Sequence, residues 1–314
     1  MSRSTDVVLY QRINEVKDKE RSKAVQDVMY NLILFSFGKL GLSLAGPEQL
    51  KGVVNLGSTD LNMLTKGIHS MEALDLVRNH LKGLLGQMPD NELGMQTSAV
   101  KLSKLQGAQV YAASMMFGYF LRRVDKRFQL EKSMGTLEYK PQTREDTIEM
   151  LENLFKSAEN IEEAPNPDVA DDVESKRRPT LREYVESFDQ ATMMETASVM
   201  SMEGVMLLQE YTTELYGDLN VLQRQMAEAV GNVESPEAFM DKMKEVIQED
   251  EVETLIMTFA DQRRLVLEAV AFGTFLRDSE DYIDEKTPVP LFTPAPKPPM
   301  PPQGGSGGGT GLLE

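Results

Sequence analysis

Long segments of this chain carry apolar residues at intervals of three and four positions, a spacing that places them on one face of an α-helix. Alternation with period two, which marks a half-buried strand, is scarce. The pattern therefore predicts an all-α fold, with no β-sheet in either of the two units defined below. Residues 105–132 form the clearest element, a predicted helix about 42 Å long at 1.5 Å per residue.

The first residues, 1–46, predict an N-terminal helical extension of one or two helices. Apolar residues recur at helical spacing over 7–16, and a charged, solvated stretch follows at 17–21. The sequence Ala45-Gly46-Pro47 is expected to end the region, because glycine and proline interrupt helices.

Two apolar stretches, 28–46 and 107–121, require a comparison with membrane-spanning helices. Both are shorter or more interrupted than the roughly 20 predominantly apolar residues of a span. We therefore predict buried core helices at both places and no transmembrane span.

Two motifs occur twice, in the same order. A Ser-Met-Glu motif begins at Ser70 and again at Ser201, and a Phe-Gly-x-Phe-Leu-Arg motif follows each of them. Such recurrence is typical of an internal duplication. We therefore predict two homologous helical-bundle units, unit one at 50–134 and unit two at 180–286. The structural residues of the second motif are Phe117, Gly118, Phe120, Leu121, Phe272, Gly273, Phe275 and Leu276.

The glycine of the second motif predicts a close crossing of two helices. Glycine in a helix interior costs about 1 kcal/mol relative to alanine, so its presence as both Gly118 and Gly273 needs a reason. A contact where a Cβ would clash supplies one, and packing is a better explanation than a ligand site. The two Ser-Met-Glu helices are expected to end at glycine caps, Gly86 and Gly217.

Composition changes between and after the units. Residues 135–179 predict an acidic connector, helical over 143–155 and mobile further on, where prolines and carboxylates accumulate. Residues 287–314 hold eight of the 15 prolines and then a glycine-rich run, so a disordered tail that does not join the core is predicted. A polyproline ligand for a partner protein is the alternative for this tail.

Several of these segments resemble a known family. Residues 74–86 and 110–123 are similar to domain-of-unknown-function family 760, and 181–188 resemble the start of its unit. The resemblance covers both units and leaves 1–46, the connector and the tail uncovered. It implies a plastid protein of the photosynthetic lineage and carries no established catalytic motif. An acid-poor transit peptide is not evident, so the chain is a mature or truncated form, or the plastid assignment is wrong.

Charge is distributed unevenly within the net −17. Residues 1–140 contain 19 basic and 14 acidic residues, a net +5, whereas 141–314 contain 14 and 36, a net −22. The acidic half disfavours nucleic acid as a partner, because phosphate contacts need basic surface. The chain has no cysteine, which excludes disulfides, thiolate metal sites and a cysteine nucleophile.

Candidate catalytic chemistry is sparse. The only histidines, His69 and His80, lie too far apart in sequence for a two-histidine zinc site on one helix turn. The acidic clusters lack the spacing of a calcium loop. We therefore predict no catalytic residues, no cofactor and no metal site.

A basic face is the one feature that unit two does not repeat. Its cations share one helix face, while unit two has Asp278, Asp281 and Tyr282 at matching positions. The first interpretation is salt bridging to the acidic second unit, and the alternative is docking of an acidic protein partner or an anionic lipid. The residues of this basic face are Arg122, Arg123, Lys126 and Arg127.

Methionines cluster at the start of unit two. Core filling is the expected role, with a helix-binding groove as the alternative. The residues are Met193, Met194, Met200, Met202 and Met206.

Together these patterns favour a non-enzymatic helical scaffold, adaptor or regulator with an unidentified protein partner, and the resemblance implies that it acts in the plastid, where we expect it in the stroma. Two alternatives stay open. One is a peripheral thylakoid-associated factor, attached through 28–46 or the basic face, and the other is an enzyme with a carboxylate-based or cofactor-dependent site between the units.

Overall fold

A computed structural model of the chain describes residues 2–57, 60–86, 99–137, 179–231 and 235–296, with side chains from residue 9 onward. Its helices are α1 (Ser2–Lys39), α2 (Met71–Leu85), α3 (Lys104–Met134), α4 (Leu181–Glu186), α5 (Gln190–Ala197), α6 (Met202–Tyr216), α7 (Leu219–Val230), α8 (Pro236–Gln248) and α9 (Phe259–Lys286). A 3₁₀ turn spans Pro47–Leu50, and two strands are present, β1 (Ala99–Ser103) and β2 (Thr254–Thr258).

The predicted all-α class is confirmed, since the described chain is mostly helical. The long helix predicted at 105–132 is α3. Helix starts follow local capping chemistry: Thr180 Oγ1 accepts the Glu183 amide at 3.3 Å, and the Glu183 carboxylate accepts the Thr180 amide at 2.7 Å. This reciprocal pair satisfies two amide groups that the first turn of α4 leaves without helical partners.

A small sheet contradicts the expectation that neither unit contains one. Strands β1 and β2 pair antiparallel, with Lys101 opposite Ile256 at the centre. On the other side of β2, the Val54 amide donates to the Ile256 carbonyl at 2.8 Å. Each strand has only five residues, too few for a period of two to stand out, and each finds its partner in the other unit. The pairing therefore depends on tertiary contacts and cannot be predicted from the local sequence of either strand.

The two long helices α3 and α9 cross in backbone contact, as the repeated glycine predicted. A Cβ on Gly118 would overlap the Val270 carbonyl, and a Cβ on Gly273 would overlap the Met115 carbonyl. The Thr274 hydroxyl donates a hydrogen bond to the Gly118 carbonyl oxygen at 3.3 Å, which also joins the two helices. Each glycine thus meets the residue three positions before the other glycine.

Helices α2 and α6 have matched ends. Both have 15 residues, begin after a serine whose hydroxyl accepts a first-turn amide, and end at a glycine of positive φ (80° for Gly86, 98° for Gly217). The predicted glycine caps are confirmed. Although the matched geometry agrees with an internal duplication, the duplication and the boundaries of the two units stay predictions.

The N-terminal region is one helix, and its second half belongs to the core. Val25, Met29, Ile33 and Phe37 are buried at helical spacing, and α1 packs there on α6 and α9. The Phe37 ring meets the Phe275 ring edge-on, with 5.1 Å between centroids. Residues 25–37 are therefore part of the same core as both units.

The expectation that the tail stays apart from the core is wrong for residues 287–296. The Met202 amide donates to the Thr293 carbonyl at 2.7 Å, and the Ala295 amide donates to the Met200 carbonyl at 2.9 Å. The buried Glu203 carboxylate accepts the Thr293 amide at 2.9 Å and its hydroxyl at 3.0 Å. The prolines do not prevent this docking, because the donors within the tail are Thr293 and Ala295, which stand beside them. Residues 297–314 lie outside the described residues, as do connector residues 138–178 with the predicted helix 143–155.

None of the helices in the described ranges combines the length and apolar character that a membrane crossing requires. Of the two apolar stretches tested above, 107–121 lies within α3, whose inner face is buried.

We expect Gly118→Ala to lower the free energy of unfolding by about 1–3 kcal/mol, the usual cost of overpacking, because the added Cβ meets the rigid backbone of α9. Gly83→Ala in α2 is the matched control. Its Cβ meets nothing within 4 Å, so the gain in helix propensity should stabilise the fold by up to about 1 kcal/mol. Urea unfolding measures both, and equal effects of the two substitutions would contradict the close crossing.

Candidate functional site

Two cations of the predicted basic face join α3 to α9. Arg122 lies 2.9 Å from the Asp278 carboxylate, and Lys126 lies 2.5 Å from Asp278 and 2.8 Å from Asp281. These carboxylates occupy the positions of unit two that match the basic positions of unit one. Because the helices cross at equivalent glycines, the matching positions face each other across the crossing.

The other two cations also have intramolecular partners. One guanidinium nitrogen of Arg123 donates to the carbonyl oxygens of Glu195, Thr196 and Ser198, at 2.8, 2.9 and 3.0 Å. These carbonyls form the end of α5, where a cation also complements the helix dipole. Arg127 pairs with Glu131 at 2.9 Å.

The geometry of the basic face matches the bridging interpretation. Each of its four cations contacts a carboxylate or carbonyl of the same chain. Docking of an acidic partner on this face stays a prediction, and it would have to compete with these contacts.

The aromatic motif residues stack on the Ser-Met-Glu helices. Phe117 lies flat on His80, with 4.1 Å between ring centroids, and Phe272 lies flat on Tyr211 at 4.6 Å. His80 and Tyr211 hold the same position in the aligned motifs. Leu121 and Leu276 are fully buried, while Phe120 and Phe275 pack at the edge of the core.

The histidines have structural surroundings. His80 is half-buried and hydrogen-bonds Ser114 at 3.1 Å, and burial lowers its pKa to about 4. Burial, and then the nearby Arg122, lower the pKa of His69 to about 4. Both side chains are therefore neutral near pH 7.

Sequence reasoning missed two serine–acid pairs whose acids are buried. The Ser70 hydroxyl donates to Asp125 at 2.8 Å, and the Ser201 hydroxyl donates to Glu280 at 2.5 Å. Both acids stand seven residues after the motif glycine, so a comparison of the two long helices beyond the motif would have found them. Glu280 also accepts the Tyr119 hydroxyl at 2.6 Å and pairs with Arg277 at 2.8 Å.

A buried carboxyl beneath the loop after α1 was also missed. Glu268 is 2% exposed, and its Oε1 accepts the Ala45 amide at 2.9 Å and the Tyr111 hydroxyl at 3.3 Å. The Tyr211 hydroxyl donates to the Ala45 carbonyl at 3.3 Å. Burial raises the pKa of Glu268 to about 7, against the lowering effects of its hydrogen bonds and of Arg264. This network ties the loop to α3, α6 and α9.

The methionine cluster does not fill the core. None of its five residues is fully buried, and Met200 and Met206 are exposed, so the core-filling expectation is wrong for them. Met202 lines a cavity of about 550 Å³ together with Met115 and Met116. A helix-binding groove there stays a prediction.

Within the described ranges, no three histidine, aspartate or glutamate side chains are grouped closely enough to hold a metal ion. The buried carboxylates found instead are engaged by hydroxyl, amide or guanidinium donors. That chemistry stabilises the fold.

The outer segment of α1 (residues 9–21) differs from all of these sites. Every one of its side chains is exposed, and contact with the body resumes near Lys23, which pairs with Glu210 at 3.1 Å. Leu9, Ile13 and Val16 share one face at intervals of four and three residues. Tyr10 lies beside them and is 68% exposed. The segment presents an apolar stripe that nothing in the described chain covers.

Comparison with known proteins finds a family match in the first part of the chain. Residues 8–134 match the model of a protein family of unknown function, DUF760. The resemblance is confirmed. The DUF760 match starts within α1, so it includes most of the N-terminal residues that the resemblance left uncovered, and it does not extend into unit two.

A UV-B-induced chloroplastic protein of Arabidopsis thaliana is 33% identical over 293 residues. The alignment covers 90% of this chain and 64% of the relative, so the chain spans less than two thirds of the length of that protein. No solved structure matches the chain.

Glu268→Gln should alter the pH dependence of stability. The folded-state pKa of Glu268 is raised to about 7 from 4.5, so the wild type loses stability as pH rises from 4.5 to 7. The amide keeps an acceptor for Ala45 and cannot ionise. The stability of the variant relative to wild type should therefore rise by about 3 kcal/mol between pH 4.5 and 8. Exposed Glu228→Gln should show no such rise in urea unfolding, and a parallel pH profile for Glu268→Gln would refute the burial effect.

Arg123→Met should lower the free energy of unfolding by about 1.5–3 kcal/mol, because three carbonyls lose a charged donor. Arg78 on α2 has only an exposed ion pair with Asp75, so Arg78→Met should change stability by less than about 0.5 kcal/mol. Thermal or urea unfolding compares the two. If they cost the same, Arg123 is not a structural clamp, and its face is available to a partner.

Proposed function

We propose that this protein is a non-enzymatic helical scaffold or adaptor of the plastid, and that the outer segment of α1 is its docking surface for a protein partner. The observation that carries the proposal is the apolar stripe of residues 9–21, which projects beyond the packed body. The packed core holds this segment in place, because α1 is buried at intervals from Val25 onward.

The stripe favours a helical partner. A helix that projects into water gains little from its own hydrogen bonds, and most helices in proteins are stabilised by packing of an apolar face. Leu9, Ile13 and Val16 offer the i, i+4, i+7 anchors that recur where one amphipathic helix lies against another. Burial of three such side chains supplies about 1.5–3 kcal/mol for each one fully covered.

Charge favours a protein over a membrane as the partner. Residues 9–21 carry four cations and three carboxylates, a net charge of +1. Attraction to an anionic bilayer grows by about 1 kcal/mol for each basic residue near the surface, so this segment gains little from it. A partner helix with mixed charges beside its apolar face fits the segment better.

The plastid location rests on the relative. The Arabidopsis protein is chloroplastic, and it aligns with most of this chain. Stroma is the compartment we propose, with peripheral attachment to thylakoids as the alternative that the vesicle arm of the test below distinguishes.

The non-enzymatic role is supported by the state of the buried acids. Glu203, Glu268 and Glu280 are each engaged by two or more donors of the same chain. An enzyme that uses carboxylates needs at least one placed against its substrate. Instead, Glu203 holds the tail, Glu268 holds the loop after α1, and Glu280 holds the start of α6.

The test replaces Ile13 and Val16 together by aspartate in the tagged protein. The matched control, Gln11→Asp with Asn14→Asp, adds the same charge on the opposite face of the same exposed segment. Thermal stability should stay unchanged in both, because these side chains are exposed and contact nothing in the described part of the body. In affinity capture from chloroplast extract, the stripe variant should lose proteins that wild type and control retain.

Flotation with vesicles containing anionic lipid is the second arm of this experiment. We expect no cofloating of the wild type. If wild type and control float and the stripe variant does not, the peripheral membrane role is correct and the adaptor role is not. Identical captured proteins for all three chains would refute docking through the stripe.

A further inference from the structure

A cavity of about 380 Å³ lies where the small sheet meets the first turns of α3 and α9. Both strands contribute to its wall, through Val100 and Met257. The ends of α2 and α6 line its sides, with Leu85 and Tyr216. Pockets for small molecules commonly measure about 300–1,000 Å³ and are mostly apolar, so its size and lining fit that class.

The polar groups of the wall are few. The described residues that line the cavity include no charged side chain. Gln106 is occupied in the capping box of α3, where its oxygen accepts the Ser103 amide at 3.2 Å, and the Tyr111 hydroxyl donates to Glu268. The remaining polar side chains are those of Tyr216 and Gln262.

Tyr216 is a buried side chain whose hydroxyl donates to none of the described residues. It is 2% exposed, and its ring lies against Gly107, where an added Cβ would stand 2.9 Å from the ring. Within the described residues its hydroxyl donates no hydrogen bond, although buried hydroxyls are usually paired. Burial raises the pKa of Tyr216, so the hydroxyl keeps its proton and stays a donor at neutral pH.

We propose that this cavity binds a small, uncharged and largely apolar molecule that carries an oxygen acceptor, to which the Tyr216 hydroxyl donates. The cavity volume limits the size of the ligand, and the apolar wall requires that most of the ligand surface be apolar. A charged ligand is disfavoured, because the described lining residues offer no counter-charge and burial of an unpaired charge is costly. The site is separate from the outer segment of α1, so it stands independently of the docking role.

The test uses 6-propionyl-2-dimethylaminonaphthalene, a neutral fluorophore with a ketone oxygen whose emission shifts to the blue in apolar surroundings. Three variants of the full chain are compared with wild type. Val110→Phe fills the cavity, Tyr216→Phe removes only the donor, and Val221→Phe adds the same ring on the exposed face of α7 as a control.

Wild type and Val221→Phe should bind one fluorophore per chain with equal affinity. Tyr216→Phe should bind about five- to tenfold more weakly, the usual effect of one lost hydrogen bond, with emission further to the blue. Val110→Phe should lose binding.

The proposal is overturned if wild type shows no saturable binding, or if Val110→Phe binds as well as wild type. It is also overturned if Tyr216→Phe matches wild type in both affinity and emission. Since Tyr216→Phe is nearly isosteric, it decides the matter even if Val110→Phe fails to fold.

Discussion

The backbone contact between α3 and α9 at Gly118 and Gly273 is the constraint on which the rest of the structure depends. If these helices separated or slid past each other, the contacts of Gly118 with Val270 and of Gly273 with Met115 would be lost together. The crossing brings β1 beside β2 at one end and brings Lys126 to Asp278 and Asp281 at the other. The sheet and the ion pairs are therefore consequences of one point of approach.

Buried polar groups are arranged around that crossing. Glu268 lies one turn before the contact and holds the loop after α1, while Glu280 lies two turns after it and holds the start of α6. Each buried carboxyl is costly alone and is offset by several donors, so each one fixes the position of an outer element. The packed body therefore has a defined arrangement. We propose the outer segment of α1 as the site for a partner and the cavity at the sheet as the site for a ligand.

The predictable parts of this fold are those that depend on local chemistry. Helix period, the Thr180 capping box, the caps at Gly86 and Gly217 and the close approach at Gly118 can all be read from neighbouring residues. The missed parts depend on distant partners. Residues of β2 form a strand because β1 is beside them, and the tail joins the core because Glu203 accepts from Thr293.

The candidate sites divide in the same way. The basic face was visible in sequence, and its partners, Asp278 and Asp281, stood at the matching positions of the second motif. Tyr216 had no such signal, because a hydroxyl that donates to none of the described residues is recognised only from its surroundings in the fold. The exposure of Leu9 to Val16 was equally unpredictable, because an apolar stripe has the same sequence pattern whether or not another element covers it.

Native-state hydrogen exchange tests the central claim most directly. If α3 and α9 are locked together, amides in 115–121 and 270–276 should be the best protected of the chain. They should also open with one common free energy, equal to that of global unfolding. Slow exchange in one helix together with fast exchange in the other would contradict the account, because it would show that the two helices open independently.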